Sequence, residues 1–117
     1  KRLASTSAPP PDFGITVDPS LLRNHYNSHK LTGDFAKNGV MQSITALIGQ
    51  YFSETSLEAF NVGYAHYNIG HGISKIIGPN MQSNEGVEAA LDTQYMTAMA
   101  PHTNTWFWSI DAASQDP

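Results

Sequence analysis

Two carboxylates, Glu88 and Asp92, stand four residues apart in the stretch from Asn84 to Pro101. In an α-helix this spacing places both side chains on one face, on successive turns. Carboxyl groups held this close can share a proton, which raises the pKa of one of them and suits acid–base chemistry at low pH. The pair is therefore the first candidate site in the chain.

The residues around the pair predict one helix. Asn84 is a good N-cap, Glu85 suits the positive end of the helix dipole, and Pro101 cannot continue the helix. Three large apolar side chains share the sector of the two carboxylates: Leu91, Tyr95 and Met99.

One interpretation places Glu88 and Asp92 on the buried stripe of this helix. Burying an unpaired carboxylate costs several kcal/mol, so a fold would rarely keep such a pair for stability alone. The pattern by itself favours the other interpretation, an exposed acidic face, because the helix is apolar almost all round and its buried side is poorly defined.

Three segments in this region carry a family resemblance. Residues 86–95, 98–101 and 105–108 resemble the acidic catalytic helix and following strand of the sedolisin family, the serine-carboxyl peptidases. The family pattern of Glu, three residues and Asp, with Leu before the Asp and Gln two residues after it, is present. The resemblance makes the buried acidic pair the favoured interpretation.

Two earlier segments agree with this resemblance. Residues 17–27 resemble the start of the mature catalytic domain, and residues 44–52 resemble its first core strand. The similarity spans roughly residues 15–110, so residues 15–117 are expected to form the N-terminal portion of a larger catalytic domain. Residues 1–14 are expected to form a tether, either the remnant of a propeptide junction or a solvated N-terminus, since they contain Pro9-Pro10-Pro11.

The resemblance implies a role for each carboxylate. Glu88 would be the general base that activates a serine, and Asp92 would orient and polarise Glu88. The family's serine, in a Gly-Thr-Ser-type motif, and its oxyanion aspartate lie downstream, and neither motif occurs in these 117 residues. A second chain or segment is thus expected to supply both groups, and the family's calcium site is expected there too. No cofactor is expected in this chain.

Strands and helices alternate in the pattern. Asp18-Pro19 should cap a short helix, residues 40–48 read as a buried parallel strand, and residues 55–58 form a capping box for a second helix. Residues 73–79 and 102–110 read as further strands. This order predicts an α/β fold with right-handed crossovers, and the resemblance implies a subtilisin-like, mostly parallel sheet with flanking helices, incomplete in this chain.

Charge and composition exclude some classes of protein. Of the ten acidic residues, seven lie in residues 41–117, where Lys75 is the only Lys or Arg, so no basic patch suits nucleic acid. No apolar run is long enough for a membrane span, and no signal peptide opens the chain. The acidic character of residues 41–117 is compatible with an enzyme that acts below neutral pH. The resemblance implies a lysosomal or secreted location.

Four further side chains have alternative interpretations. His66 and His71 have no strong metal-site spacing, so we expect hydrogen-bonded or solvated loop histidines. Trp106 and Trp108 point the same way from the last strand, and core positions are favoured over a binding platform.

The favoured function is an acid-acting peptidase that uses a Ser-Glu-Asp triad on peptide or protein substrates. The alternative is a non-catalytic fragment or interaction chain with an idle acidic pair. A two-carboxylate glycoside hydrolase is disfavoured, because its carboxylates usually come from different elements and stand about 5 Å or more apart across a sugar.

Overall fold

The computed structural model describes residues 16–28 and 36–110. The predicted tether, residues 1–14, lies outside the described residues. The described elements are, in chain order, α1 (Pro19–His25), β1 (Met41–Ala46), α2 (Glu54–Tyr64), β2 (Lys75–Ile77), α3 (Val87–Met99) and β3 (Asn104–Ser109). Two short 3₁₀ helices, His66–Asn68 and Gln82–Asn84, interrupt the connections.

The three strands form one parallel sheet in the order β1-β3-β2. In the central strand, Phe107 is aligned with Ile44 on one side and with Ile76 on the other. Both crossover connections contain a helix, as parallel strands require. The predicted α/β class with a parallel sheet is confirmed.

A small core fills the space between the sheet and α3. It consists of Ile44, Ala46, Phe52, Ala89 and Phe107, each at most 5% exposed. The rings of Phe52 and Phe107 lie 4.7 Å apart and inclined at 60°, a favourable aromatic contact. Phe52 comes from the loop after β1, so this loop is anchored directly against the central strand.

β1 is an edge strand in this structure, not the strand buried on both faces that its apolar run predicts. Its side chains alternate, with Ile44 and Ala46 buried and their neighbours exposed or half-buried. Leu47 and Ile48 follow the strand and are 62% and 54% exposed. Only one face of the strand is covered by the described residues.

The two crossover connections cannot both be right-handed. The chain passes from β1 across β3 to β2 and then returns to β3, so the connections run in opposite directions. Right-handed connections of this kind would place their helices on opposite faces. α2 instead lies beside α3, with the rings of Phe60 and Tyr95 5.1 Å apart. The expectation of right-handed crossovers is therefore wrong for one connection.

The helix starts follow local capping. Asp18 caps α1 by accepting a hydrogen bond from the backbone N–H of Leu21 at 2.8 Å, and Pro19 stands in the first turn, as predicted. α2 begins earlier than the capping box at residues 55–58 suggests. Its cap is Ser53, whose hydroxyl accepts from the backbone N–H of Ser56 at 3.3 Å. No helix among the described residues is long and apolar enough to cross a membrane.

Candidate active site

α3 turns a face of small residues toward the sheet. Ala89, Thr93, Thr97 and Ala98 are buried, and the hydroxyls of both threonines donate to backbone carbonyls four residues earlier, at 2.8 Å and 2.7 Å. A threonine satisfied in this way can be buried without an unpaired polar group. Small side chains also let the helix approach the sheet closely.

The predicted buried stripe of α3 is therefore wrong for this chain. Leu91 is 54% exposed, and Glu88 is exposed as well, whereas Asp92 is half-buried beside the sheet-facing side. The prediction assigned the core to the large apolar side chains. The structure buries the small ones because they fit against β1 and β3.

The two carboxylates remain neighbours on successive turns of α3. Residues at this spacing have Cβ atoms about 5–6 Å apart. Among residues 16–28 and 36–110, neither carboxylate accepts a hydrogen bond or forms an ion pair. Glu88 is thus open to a group approaching from outside, and Asp92 is half-buried one turn further along α3.

The N-terminus of α3 lies at the carboxyl edge of the sheet, where open α/β folds usually bind ligands. The helix starts at Val87 with Gly86 as N-cap, and Asn84 belongs to a preceding 3₁₀ helix, so the predicted Asn84 cap is wrong. The loop after β1 contacts the N-terminus of α3. Gln50 Oε1 accepts from the backbone N–H of Ala89 at 3.4 Å, and the N–H of Gly86 donates to the carbonyl of Tyr51 at 2.8 Å.

A side chain at Gly86 would have to displace the side chain of Gln50 and shift its backbone slightly. A Cβ on Gly86 would lie 2.1 Å from Gln50 Oε1 and 3.1 Å from Gln50 Cα. The sequence signal was the position of Gln50 shortly after the carboxyl end of β1, at the edge where open α/β folds usually bind ligands. Its contact with α3 follows only from the tertiary structure.

Glu85 stabilises α2 rather than α3. Its carboxylate accepts from the backbone N–H of Ser53 at 3.2 Å and from the hydroxyl of Ser56 at 2.7 Å. A carboxylate at this position satisfies free donors of the first turn of α2 and faces the positive end of its dipole. The loops before α2 and before α3 are tied together as a result.

The C-terminal end of α3 is held by α1 and by the 3₁₀ helix. The guanidinium of Arg23 donates to the carbonyls of Ala98 and Met99 and lies 5.1 Å from the ring centre of Tyr67. The hydroxyl of Tyr67 also donates to the carbonyl of Ala98, at 3.0 Å. A cation is favourable here because helix C-terminal carbonyls carry partial negative charge.

Tyr95 joins the middle of α3 to the segment before α1. Its hydroxyl donates to the carbonyl of Val17, and its ring packs on Phe60 of α2. Burial raises the pKa of the Tyr95 phenol above its ordinary value of 10.0, and the charges of Asp18 and Tyr64 add to the rise. Arg23 and Tyr95 together fix the orientation of α3 and hence of its two carboxylates.

A shallow groove runs along the exposed side of α3 next to Glu88. It has a volume of about 330 Å³ and is lined by Glu85, Gly86, Val87, Ala90, Leu91 and Gln94. Val87 is 87% exposed, an unusual state for an aliphatic side chain at the start of a helix. The groove is mostly apolar and suits contact with apolar side chains.

The other predicted residues lie away from the acidic pair. His66 is exposed, and His71 stacks on His102 with ring centres 4.1 Å apart. Within the described ranges, no group of three or more His, Cys, Asp or Glu side chains is arranged to hold a metal ion. Trp106 and Trp108 are on the sheet face opposite α3, so their expected core positions are not observed, and Thr105 and Phe107 are buried instead.

The chain is similar to several known proteins named tripeptidyl-peptidase 1. The chain is 35% identical over 96 residues to tripeptidyl-peptidase 1 of Dictyostelium discoideum, a match that covers 80% of this chain and 15% of that protein. It is 26% identical over 99 residues to the human protein, covering 81% of this chain and 17% of the relative. The bovine protein is 27% identical over 112 residues, a match that covers 88% of this chain and 19% of that protein.

The resemblance to the sedolisin family is confirmed. The sedolisin-like chain spans less than a fifth of the length of these curated relatives. No family model matches the chain. No solved structure matches it either.

Proposed function

We propose that this sedolisin-like chain forms the N-terminal portion of the catalytic domain of an acid-acting serine-carboxyl peptidase. The observation that supports this most strongly is the placement of Glu88 and Asp92. They stand on successive turns of α3 near the carboxyl edge of the sheet, in a chain whose relatives carry the name tripeptidyl-peptidase 1.

In the proposed mechanism, Glu88 takes the proton from a serine hydroxyl supplied by the rest of the protein. The serine oxygen then attacks the peptide carbonyl, the leaving amine receives a proton, and water hydrolyses the acyl-enzyme. The exposure of Glu88 suits this role because a second segment can reach it. Asp92, half-buried one turn further on, would orient the Glu88 carboxyl group.

A carboxylate as general base favours catalysis at acid pH. A glutamate remains ionised at pH values where an imidazole is already protonated, so a glutamate base can still accept a proton there. We therefore propose an acidic compartment, lysosomal or secreted, as the place of action. The oxyanion aspartate and a calcium site are proposed to lie in the rest of the protein.

The test is a pair of substitutions in the complete protein. Glu88→Gln keeps the shape of the side chain and removes the base, so kcat should fall about 10²–10⁴-fold at acid pH with little change in KM. Asp92→Asn should lower kcat less. Glu54→Gln, at an exposed carboxylate in the first turn of α2, is the matched control and should retain full activity.

Two substrates separate the activities. A fluorogenic tripeptide with a free amino terminus reports tripeptide release, and an internally quenched peptide with a blocked amino terminus reports internal cleavage. Near wild-type turnover by Glu88→Gln at acid pH would contradict the assignment of the general base. Absence of any peptidase activity in the complete wild-type protein would favour the idle acidic pair of a non-catalytic chain.

A further inference from the structure

The first turn of α3, which carries Glu88, is packed less firmly than the rest of the helix. Among residues 87–90, only Ala89 is buried, and Val87 and Glu88 are exposed. The contacts of Arg23 and Tyr95 described above hold the C-terminal end and the middle of α3. Helix ends that lack such contacts are the first parts to open. The position of the Glu88 carboxylate therefore depends on what holds the first turn.

The backbone of this turn also lacks a cap of its own. The N–H groups of residues 87–89 precede the first intrahelical hydrogen bond, which Ala90 donates to the carbonyl of Gly86 at 2.9 Å. Gly86, as N-cap, has no side chain that could accept from them. Within residues 16–28 and 36–110, Gln50 is the one side chain that does so, because its Oε1 accepts from the N–H of Ala89 at 3.4 Å.

The loop that carries Gln50 is itself fixed. It follows β1 and lies against the loop before α3, where the N–H of Gly86 donates to the carbonyl of Tyr51 at 2.8 Å. The side-chain amide of Asn80 forms two hydrogen bonds with the backbone of Phe52, both 3.1 Å long. Phe52 is fully buried against the central strand. Gln50 thus reaches α3 from a rigid support.

The cap that Gln50 provides is uncharged. Glu85, although it directly precedes the start of α3, binds the start of α2 instead. The other acidic side chains of α2 and α3 are Glu54, Glu58 and Asp92. In the part of the chain that the structure describes, none of them bonds to the first turn of α3, and Lys75 lies at the opposite, amino edge of the sheet. The positive end of the α3 dipole is therefore left to the carboxylate of Glu88.

We propose that Gln50 is a positioning residue for the general base. Its side-chain amide holds the first turn of α3, and so the Glu88 carboxylate, without adding a negative charge that would compete for the same helix end. Gln50 acts through the backbone of Ala89 and does not contact the substrate. The proposal rests on the proposed function in taking Glu88 as the group that accepts the serine proton.

Hydrogen exchange in the complete protein tests the hold on the first turn. Gln50→Leu removes the acceptor, so the amide of Ala89 should exchange at least about tenfold faster than in the wild type. Gln82→Leu is the matched control, because Gln82 Oε1 accepts from the backbone N–H of Glu54 at 3.1 Å, the same kind of bond at the start of α2. It should leave the exchange of Ala89 unchanged. Equal exchange of Ala89 in Gln50→Leu and the wild type would overturn the proposal.

Kinetics on the complete protein test the consequence for catalysis. Misplacing a catalytic group by about 1 Å can cost about 10²-fold, so Gln50→Leu should lower kcat about 10–100-fold with KM changed less than about twofold. Gln82→Leu should keep kcat within about twofold of the wild type. Two results would contradict a positioning role: equal kcat in the two variants, or a rise in KM alone in Gln50→Leu, which would place Gln50 in contact with substrate.

Gln50→Glu separates the hydrogen bond from the charge. It keeps an acceptor, so kcat on the pH plateau should return to within about threefold of the wild type. The added charge should move the acid limb of kcat/KM to higher pH by about 0.5–1 unit at low salt, and by less in 1 M salt. If Gln50→Leu fails to fold, this variant still decides, since an acid limb at its wild-type pH would refute the proposal.

Glu88→Gln in the same assays tests the proposed function separately. Near wild-type turnover by Glu88→Gln would refute the proposed function, and with it the role of Gln50 in positioning a base. Loss of turnover in Glu88→Gln together with full turnover in Gln50→Leu would refute only the positioning role.

Discussion

Replacing Gly78 by alanine tests the carboxyl edge of the sheet. Gly78 follows β2 with φ +89°, a left-handed conformation that alanine adopts at a cost of about 1–2 kcal/mol. A Cβ on Gly78 would also lie 2.1 Å from the backbone oxygen of Ser109, at the end of β3. Two separate penalties therefore act at this position.

Gly49 provides a matched control because it carries only the first penalty. Its φ is +76°, and nothing lies within 4 Å of a Cβ built on it. Alanine also restricts the unfolded chain, which offsets the conformational cost by about 0.4–1 kcal/mol. Gly49→Ala should therefore lower the free energy of unfolding by only about 0.5–1 kcal/mol.

The second penalty at Gly78 follows from the distance. Real Cβ atoms essentially never approach closer than 3.0 Å, so 2.1 Å is short by 3.0 − 2.1 = 0.9 Å. The clashing atom is backbone, so the three-residue strand β2 must shift against β3. Overpacking of this kind costs about 1–3 kcal/mol. Gly78→Ala should therefore lose about 2–4 kcal/mol in total.

Urea unfolding of the full chain, followed by the emission of its two tryptophans, measures the difference. Both tryptophans lie on β3, the strand that pairs with β2. With a urea m-value of about 1–3 kcal/mol per M, the midpoint of Gly78→Ala should fall about 1–2 M further than that of Gly49→Ala. Loss of stability equal within about 0.5 kcal/mol in the two variants would refute the close approach.

Three further substitutions test the contacts that orient α3 and α2. Tyr95→Phe should lower the free energy of unfolding by about 1 kcal/mol at pH 7, because the hydrogen bond to Val17 is lost. Because folding raises the pKa of Tyr95, the neutral phenol stabilises the folded protein below the pKa of the unfolded state. In urea titrations, the stability advantage of the wild type over Tyr95→Phe should therefore shrink as the pH rises beyond 10. Arg23→Ala should cost about 1–3 kcal/mol by leaving the carbonyl of Ala98 without its cationic donor, and Arg23→Lys should restore part of the loss; equal stability of Arg23→Ala and wild type would contradict the contact. Glu85→Gln should cost about 0.5–1 kcal/mol at the α2 N-terminus in low salt and much less in 1 M salt, where the charge is screened; a loss unaffected by salt would rule out the charge effect.

The sequence predicted well where the signal is local. The Asp18 cap and Pro19 start of α1 depend on neighbours within one turn, and the structure has both. The end of α3 before Pro101 is equally local, since proline cannot continue a helix. The α/β class follows from the alternation of strand and helix patterns, and the spacing of Glu88 and Asp92 places them on successive turns of any helix.

Tertiary contacts decided the rest. Glu85 lies beside α3 in sequence but accepts hydrogen bonds from Ser53 and Ser56 at the start of α2, which no local pattern reveals. Which side of α3 is buried depended on how closely the helix packs on the sheet, so small Thr93 took the place expected for Leu91.

The sequence by itself determined that an acidic pair lies on one helix of an α/β chain, because helix periodicity and capping are set by residues a few positions apart. Only the tertiary structure decided that Glu88 is exposed at the carboxyl edge of the sheet and that the tryptophans face away from α3. The physical reason is that a parallel sheet has two faces, and the sequence pattern of a strand does not say which face a particular helix will cover.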